Sequence, residues 1–276
     1  MESFELERLL RQCLQEDIGT GDITSESCVP AAARAKGVLT AKEPGVICGI
    51  EVVRRVFEIV SPEIELSVQI EDGESASAGD TIGTLTGPAR GILTGERVAL
   101  NFLQRLSGIA TRTRACVCQV AGTGAAVVDT RKTTPGLRVL EKYAVRMGGG
   151  SNHRFGLSDG VLIKDNHIVA AGGITSAVRA ARERAPHTIK IEVEVESVDQ
   201  ALEAVAAGAD IIMLDNMEPE MMTAAVAAID GRALTEASGN MDRRDLRQVA
   251  LTGVNLISIG ALTHTVKAMD ISLRFL

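Results

Sequence analysis

A chain of 276 residues is long enough for two modest domains or one barrel with an appendage, and either buries a sizeable core. Its 45% hydrophobic and 24% charged residues are ordinary for a soluble globular protein, and no apolar stretch is long enough to span a bilayer. A net charge of −7 and an aromatic content of 2% argue against a nucleic-acid partner, which wants a broad basic face or stacking rings.

The opening MESFELERLLRQCLQED reads as an amphipathic helix over 3–16, without the basic leader and apolar core of a secretory signal. The five cysteines, Cys13, Cys28, Cys48, Cys116 and Cys118, are scattered and lack metal-site spacing, which suits reduced thiols in the cytoplasm. DIGTGDIT then breaks the helix with loop residues. Short strand-like runs follow at 35–49, 64–80 and 81–87, and EDGESASAGD between two of them is turn chemistry. A small, mostly antiparallel sheet is expected. From Arg90 to Val120 the spacing of Ile92, Leu93, Leu100, Leu103, Leu106 and Ile109 predicts a long helix, or one with a break at Gly108. Arg97, Asn101 and Arg105 share a face of it, which by periodicity alone is a solvated stripe.

Beyond residue 124 the pattern becomes strand, polar end, helix, repeated through AAVVDT, GVLIKDNH, TIKIEVEVES, ADIIMLDN, ALTEASGN and NLISIGAL. Helical spacing between them, as in SVDQALEAVAAG and MDRRDLRQVALTG, implies a parallel sheet with crossover helices, either open or closed into a barrel. Ligands of such folds bind at the carboxyl ends of the strands, where the polar residues gather here.

The segment 129–167 carries Arg131, Lys132, Arg138, Lys142, Arg146, Arg154 and Lys164 against four carboxylates, in an acidic chain. Such a cluster answers to a small anion. LRVLEKYAVRM has helical spacing, so Lys142 and Arg146 read as surface charges or partner contacts, and Gly148, Gly149 and Gly150 as a turn leading to Asn152, His153 and Arg154. In IKIEVEVE, Lys190, Glu192, Glu194 and Glu196 alternate with apolar residues. A strand covered by helices offers no solvent face, so these charges point toward a barrel centre. Glu194 and Asp215, at neighbouring strand ends, could hold a hard cation such as magnesium or simply cap helices. ASGN and SIGALT, each before a helix, put glycine where backbone N–H groups can meet a phosphate. His264 lies near the second of these, and His187 in a loop is expected to be exposed.

The run from Asp129 to His167, with EVEVES, DIIMLDN, EASGN, ISIGALTH, EDIGTGDIT and GERVALNFLQRLSGIAT, resembles quinolinate phosphoribosyltransferase over nearly the whole chain. The resemblance implies joining quinolinate to phosphoribosyl pyrophosphate with magnesium, releasing pyrophosphate and carbon dioxide and giving nicotinate mononucleotide. Two polyanionic substrates account for a local positive well, and arginine forks match carboxylates.

Carried over from the family, Arg131, His153 and Arg154 bind the pyridine dicarboxylate, with Arg97 reaching in from the other subunit of a homodimer, and Thr130 is counted with the substrate-binding residues. Lys132 and Lys164 lie between the two substrates, and Glu194 and Asp215 face the ribose and the magnesium. Ser238, Gly239 and Asn240, with Ile259, Gly260 and Ala261, cradle the 5-phosphate. Three other readings remain: a molybdenum-transport-associated relative with another acceptor, a nicotinate phosphoribosyltransferase, and a non-catalytic phosphate-ligand sensor. The expected architecture is an α+β sandwich over 1–112, an incomplete or irregular α/β barrel over 113–269, and a tail 270–276 returning to the first domain.

Overall fold

A computed structural model of the chain describes residues 3–276. It begins with α1 (Ser3–Ile18) and, after a two-glycine turn, α2 (Ile23–Cys28). Asp22 caps α2 by accepting the Ser25 N–H at 3.0 Å, so the loop expected at DIGTGDIT ends at Ile23. Then come β1 (Arg34–Ala41), β2 (Gly45–Val46), α3 (Ile50–Val60), β3 (Glu65–Val68), β4 (Ser75–Ala76) and β5 (Thr81–Pro88). β5 lies antiparallel between β1 and β3, and β2 pairs with β4. Ile50, Val52, Val53, Val56 and Phe57 of α3 are buried. Each such side chain contributes about 1.5–3 kcal/mol by leaving water.

The helix α4 (Ala89–Val120) runs 32 residues without a break. Gly108 serves packing instead: a Cβ there would lie 2.1 Å from the Lys267 carbonyl oxygen, so only glycine admits that strand of backbone.

The parallel part follows in order: β6 (Ala126–Val128), α5 (Arg138–Met147), β7 (Val161–Ile163), α6 (Asp165–Ala171), α7 (Ile174–Arg184), β8 (Ile191–Val195), α8 (Val198–Ala207), β9 (Ile211–Asp215), α9 (Pro219–Ile229), β10 (Leu234–Ser238), α10 (Leu246–Leu251), β11 (Leu256–Ser258) and α11 (Ala261–His264). Six strands stand in the order β6-β11-β10-β9-β8-β7, all parallel, barrel-like but not closed. Ile191, Val193, Ile212, Leu214, Ala237 and Ile257 are wholly buried in it. MDRRDLRQ is helical only in part: a 3-10 turn takes Met241–Arg243, and Asp245 caps α10 by accepting the Arg247 and Gln248 N–H groups.

The last strand, β12 (Ile271–Phe275), pairs antiparallel with β1. Two compact units result. The first takes the chain up to Arg114 with Val139–Gly149 and Val266–Leu276; the second is Ala115–Arg138 with Gly150–Thr265. The span 113–269 is thus interrupted, because α5 packs in the first unit, where buried Glu141 accepts from Arg105 Nε at 3.0 Å and NH2 at 2.6 Å. The expected span 1–112 begins on residues 1 and 2, which lie outside the described residues. Lys142 corrects the surface reading of α5: it is fully buried, whereas Arg146 is exposed. Among the described residues no helix is long and apolar enough to cross a membrane.

Candidate active site

The second unit holds a cleft of about 790 Å³ at the carboxyl ends of its strands. Its shape begins with β6. Buried Asp129, one residue past that strand, accepts the His153 N–H at 2.9 Å and the Asn152 amide at 2.6 Å. One carboxylate thereby pins the loop that follows the triple glycine. Thr130 Oγ1 accepts the Lys132 N–H at 3.0 Å, and Thr263 Oγ1 donates to the Lys132 carbonyl at 2.8 Å, which steadies the turn carrying Arg131 and Lys132.

Thr130, Arg131, Lys132, His153, Arg154, Lys164, Glu194, Asp215, Ser238, Gly239, Asn240, Gly260 and Ala261 all line the cleft. Arg131 and Arg154 lie near enough to repel. Burial first, and then the Arg131 charge, push the Arg154 guanidinium below its ordinary pKa. Arg131 Nε is buried with no acceptor among the described residues. A guanidinium donor held dry without a partner is matched by an anion delivered from outside.

Across from the arginines, Lys164 forms an ion pair and hydrogen bond with Glu194 at the end of β8. Asp215 ends the adjacent β9, and its Oδ2 accepts from the Asn216 amide at 2.7 Å. Asn216 and Asn240 both take left-handed backbone, φ 54 and 52, and Asn240 Nδ2 donates to Asn216 Oδ1 at 3.2 Å. Gly239, φ +99, lies against that pair: a Cβ on it would sit 2.2 Å from Asn216 Oδ1. At the next strand end a Cβ on Gly260 would meet Lys132 and His264 at 3.1 Å.

Two expected residues stand elsewhere. Ile259 is buried, and its N–H donates to the Val128 carbonyl at 3.0 Å, so the sheet has already taken the amide assigned to a phosphate. Arg97 belongs to the first unit, exposed on α4 beside exposed Asn101, while Arg105 of the same stripe is paired with Glu141. Lys190 and Glu196 depart from the inward reading of β8: both are exposed, and only Glu192 and Glu194 turn in.

Sequence reasoning missed Arg243 and Glu236, which also line the cleft, noted Asn216 only as a polar strand end, and left His264 open. Glu236 was legible as the single charge inside the apolar run ALTEAS. It is buried on β10, facing His153 and Glu192. His153 Nε2 lies 2.9 Å from Glu192 and 3.7 Å from Glu236. Its Nδ1 accepts the Arg154 N–H at 2.8 Å, so both ring nitrogens are engaged within the protein. Burial, and then the Glu192 carboxylate, push Glu236 up to about 7, while His153 pulls the other way.

The profile of the quinolinate phosphoribosyl transferase N-terminal domain matches residues 22–107, and that of the C-terminal domain residues 109–274. A probable nicotinate-nucleotide pyrophosphorylase (carboxylating) of Bacillus subtilis is 46% identical over 99% of this chain and 94% of its own length. A protein of the same description from Synechocystis is 44% identical over 96% of this chain and 90% of its own. The solved nicotinate-nucleotide pyrophosphorylase of Francisella tularensis superposes with a TM-score of 0.96 at 41% identity, covering 100% of this chain and 98% of that one. With both domain profiles matched in order and a cleft of the expected make-up, the chain belongs to the quinolinate phosphoribosyl transferase family.

Proposed function

We propose that this chain is a carboxylating nicotinate-nucleotide pyrophosphorylase: it transfers phosphoribosyl from phosphoribosyl pyrophosphate to quinolinate, yielding nicotinate mononucleotide, pyrophosphate and carbon dioxide for NAD biosynthesis. The observation that carries the reading is the cleft itself, which gathers Arg131, Lys132, Arg154 and Lys164 with Glu194 and Asp215 from adjacent strand ends. Arg131 and Arg154 take the two carboxylates of the pyridine, with Thr130 and His153 beside them. Lys132 and Lys164 lie between the two anions. Ser238, Gly239 and Asn240, with Gly260 and Ala261, receive the 5-phosphate through the backbone.

Bond breaking at the ribose builds positive charge on its ring, which Glu194 and Asp215 stabilise from fixed positions while the lysines stabilise the leaving anion. Once the ring nitrogen is alkylated it becomes an electron sink, and the neighbouring carboxylate departs. Most of the protein's contribution is therefore orientation and charge placement. Magnesium fits the donors present: Glu194 and Asp215 offer hard oxygens, and too few of them for a closed cage, which suits an ion that shares its ligands with substrate phosphate. Bound there, magnesium would neutralise the pyrophosphate. Exposed Arg97 is read as completing the dicarboxylate site of a second copy, so that a homodimer is the smallest complete assembly, working in the cytoplasm.

Incubating the protein with carboxyl-labelled quinolinate, phosphoribosyl pyrophosphate and magnesium, with nicotinate as competitor, tests the reading. Labelled carbon dioxide and nicotinate mononucleotide should appear in step. Turnover of nicotinate alone, or none in folded and assembled protein, would move the function to another acceptor or to a sensor.

A further inference from the structure

Beneath the arginines lies a cluster that substrate binding does not account for. Glu236 lines the cleft, yet its side chain is 1% exposed and neither oxygen has a hydrogen-bond partner among the described residues; Glu192 Oε1 is likewise buried and unpartnered among them. Two carboxylates buried together with too few donors are not both readily ionised, because each anion loses hydration and repels the other. His153 supplies one hydrogen. Since its Nδ1 accepts the Arg154 N–H, its Nε2 carries the ring proton and gives it to Glu192 at 2.9 Å.

Glu236 is left to hold a proton of its own. The groups facing it are Glu192 from β8, His153 from the loop after the glycines, and Ser258 from β11. The Ser258 hydroxyl donates to the Ala237 carbonyl at 3.4 Å, so it stabilises the Glu236 anion only weakly. The ligand atoms of His153, Glu192 and Glu236 lie within 4.8 Å of one another, a spacing a cation could also use. The hydrogen on Nε2 blocks that use, because a nitrogen bearing a proton has no lone pair for a metal.

The proposed reaction leaves one proton unassigned. When the C2 carboxylate departs as carbon dioxide, the C–C bond breaks and its electron pair stays on the ring carbon. That carbanion must gain a proton to become nicotinate mononucleotide. We propose that Glu236 is the acid that gives it, an assignment that rests on the carboxylating reading above. The O–H bond of Glu236 breaks and the C–H bond forms as the bond to the carboxylate breaks, so carbon dioxide release depends on the acid, and the resulting Glu236 carboxylate takes a proton back from water before the next turnover. Glu236 stands 3.7 Å from the His153 ring nitrogen and lines the same cleft as Arg131 and Arg154, the side chains assigned above to the pyridine dicarboxylate. An acid titrating near neutrality is suited to donate at working pH.

The test measures pyrophosphate and carbon dioxide separately for wild type and Glu236→Gln, in mixed H2O and D2O, with deuterium at C2 of the product read by mass spectrometry. Carbon dioxide release should slow at least tenfold more than pyrophosphate release, quinolinate mononucleotide should accumulate, and the deuterium fraction of the residual product should change. Equal slowing of both releases, or an unchanged deuterium fraction, would overturn the assignment. So would a stoichiometric divalent metal in the purified wild type that Glu236→Gln loses. Glu236→Asp keeps an acid but withdraws it, and decides the matter if the glutamine variant does not fold. Its carbon dioxide release should lag pyrophosphate at least threefold, and release in step would refute the role. Wild type that releases neither product from quinolinate sinks the carboxylating reading; wild type and variant both releasing them in step sink only the assignment of Glu236.

Discussion

Gly239→Ala puts the geometry of the β10 end to a quantitative test. The residue has φ +99, and the new Cβ would lie 2.2 Å from Asn216 Oδ1 and 2.9 Å from the Asn216 backbone nitrogen. The conformation alone costs an L-residue about 1–2 kcal/mol. Relieving the overlap displaces the Asn216 side chain, which donates to Asp215 at 2.7 Å and accepts from Asn240 at 3.2 Å. Each bond contributes about 1 kcal/mol, so the whole loss is about 3–4 kcal/mol. At about 2–4 °C per kcal/mol for a chain of this size, Tm should fall by roughly 6–16 °C. Asp215 loses its positioning partner, so the KM for phosphoribosyl pyrophosphate should rise at least tenfold while that for quinolinate changes less. Gly208→Ala is the control: φ is +95, but nothing lies within 4 Å of the added carbon. It should show the backbone cost alone and unchanged KM values. Scanning fluorimetry and initial rates on both proteins decide the point, and Gly239→Ala behaving like Gly208→Ala in both would refute the reasoning.

Arg97→Ala and Lys164→Ala should each abolish turnover, and mixing the two proteins should restore part of it if one site draws on two chains. Verified mixed dimers with no recovery would rule out a shared site. Glu236 also predicts a pH dependence of stability. Its folded pKa, about 7, lies above its ordinary 4.5, so between these values the folded state holds a proton that the unfolded state has lost. Stability should therefore be greatest below about 4.5 on this account, fall as pH rises toward 7, and level off above. Glu236→Gln should lack that decline when the two denaturation series are compared from pH 5 to 8, and parallel curves would refute the protonation.

Much of the cleft was legible because its residues end strands. Asp129, Lys164 and Asp215 each close an apolar run, Glu194 sits in the last two residues of an alternating strand, and in a parallel sheet those ends must lie together. Ile259 misled because its neighbour in sequence is a ligand candidate, whereas its amide continues the ladder to Val128. Lys142 misled because helical periodicity assigns faces relative to a single core, and α5 packs in the unit to which it is not adjacent in sequence. Arg243 was hidden inside a helical-looking run whose first turn is 3-10.

What the amino-acid order determined by itself was local: where apolar runs start and stop, which turns need glycine, and that positive charge collects between Arg131 and Lys164. Those features depend on residue spacing and backbone sterics, which act over a few positions. Only the tertiary structure decided that β8 and β10 bring Glu192 and Glu236 against His153, that α5 belongs with the first unit, and that Gly108 makes room for Lys267. Contacts between distant segments are set by strand order and by which backbone can approach which, and neither is written in the spacing of any one element.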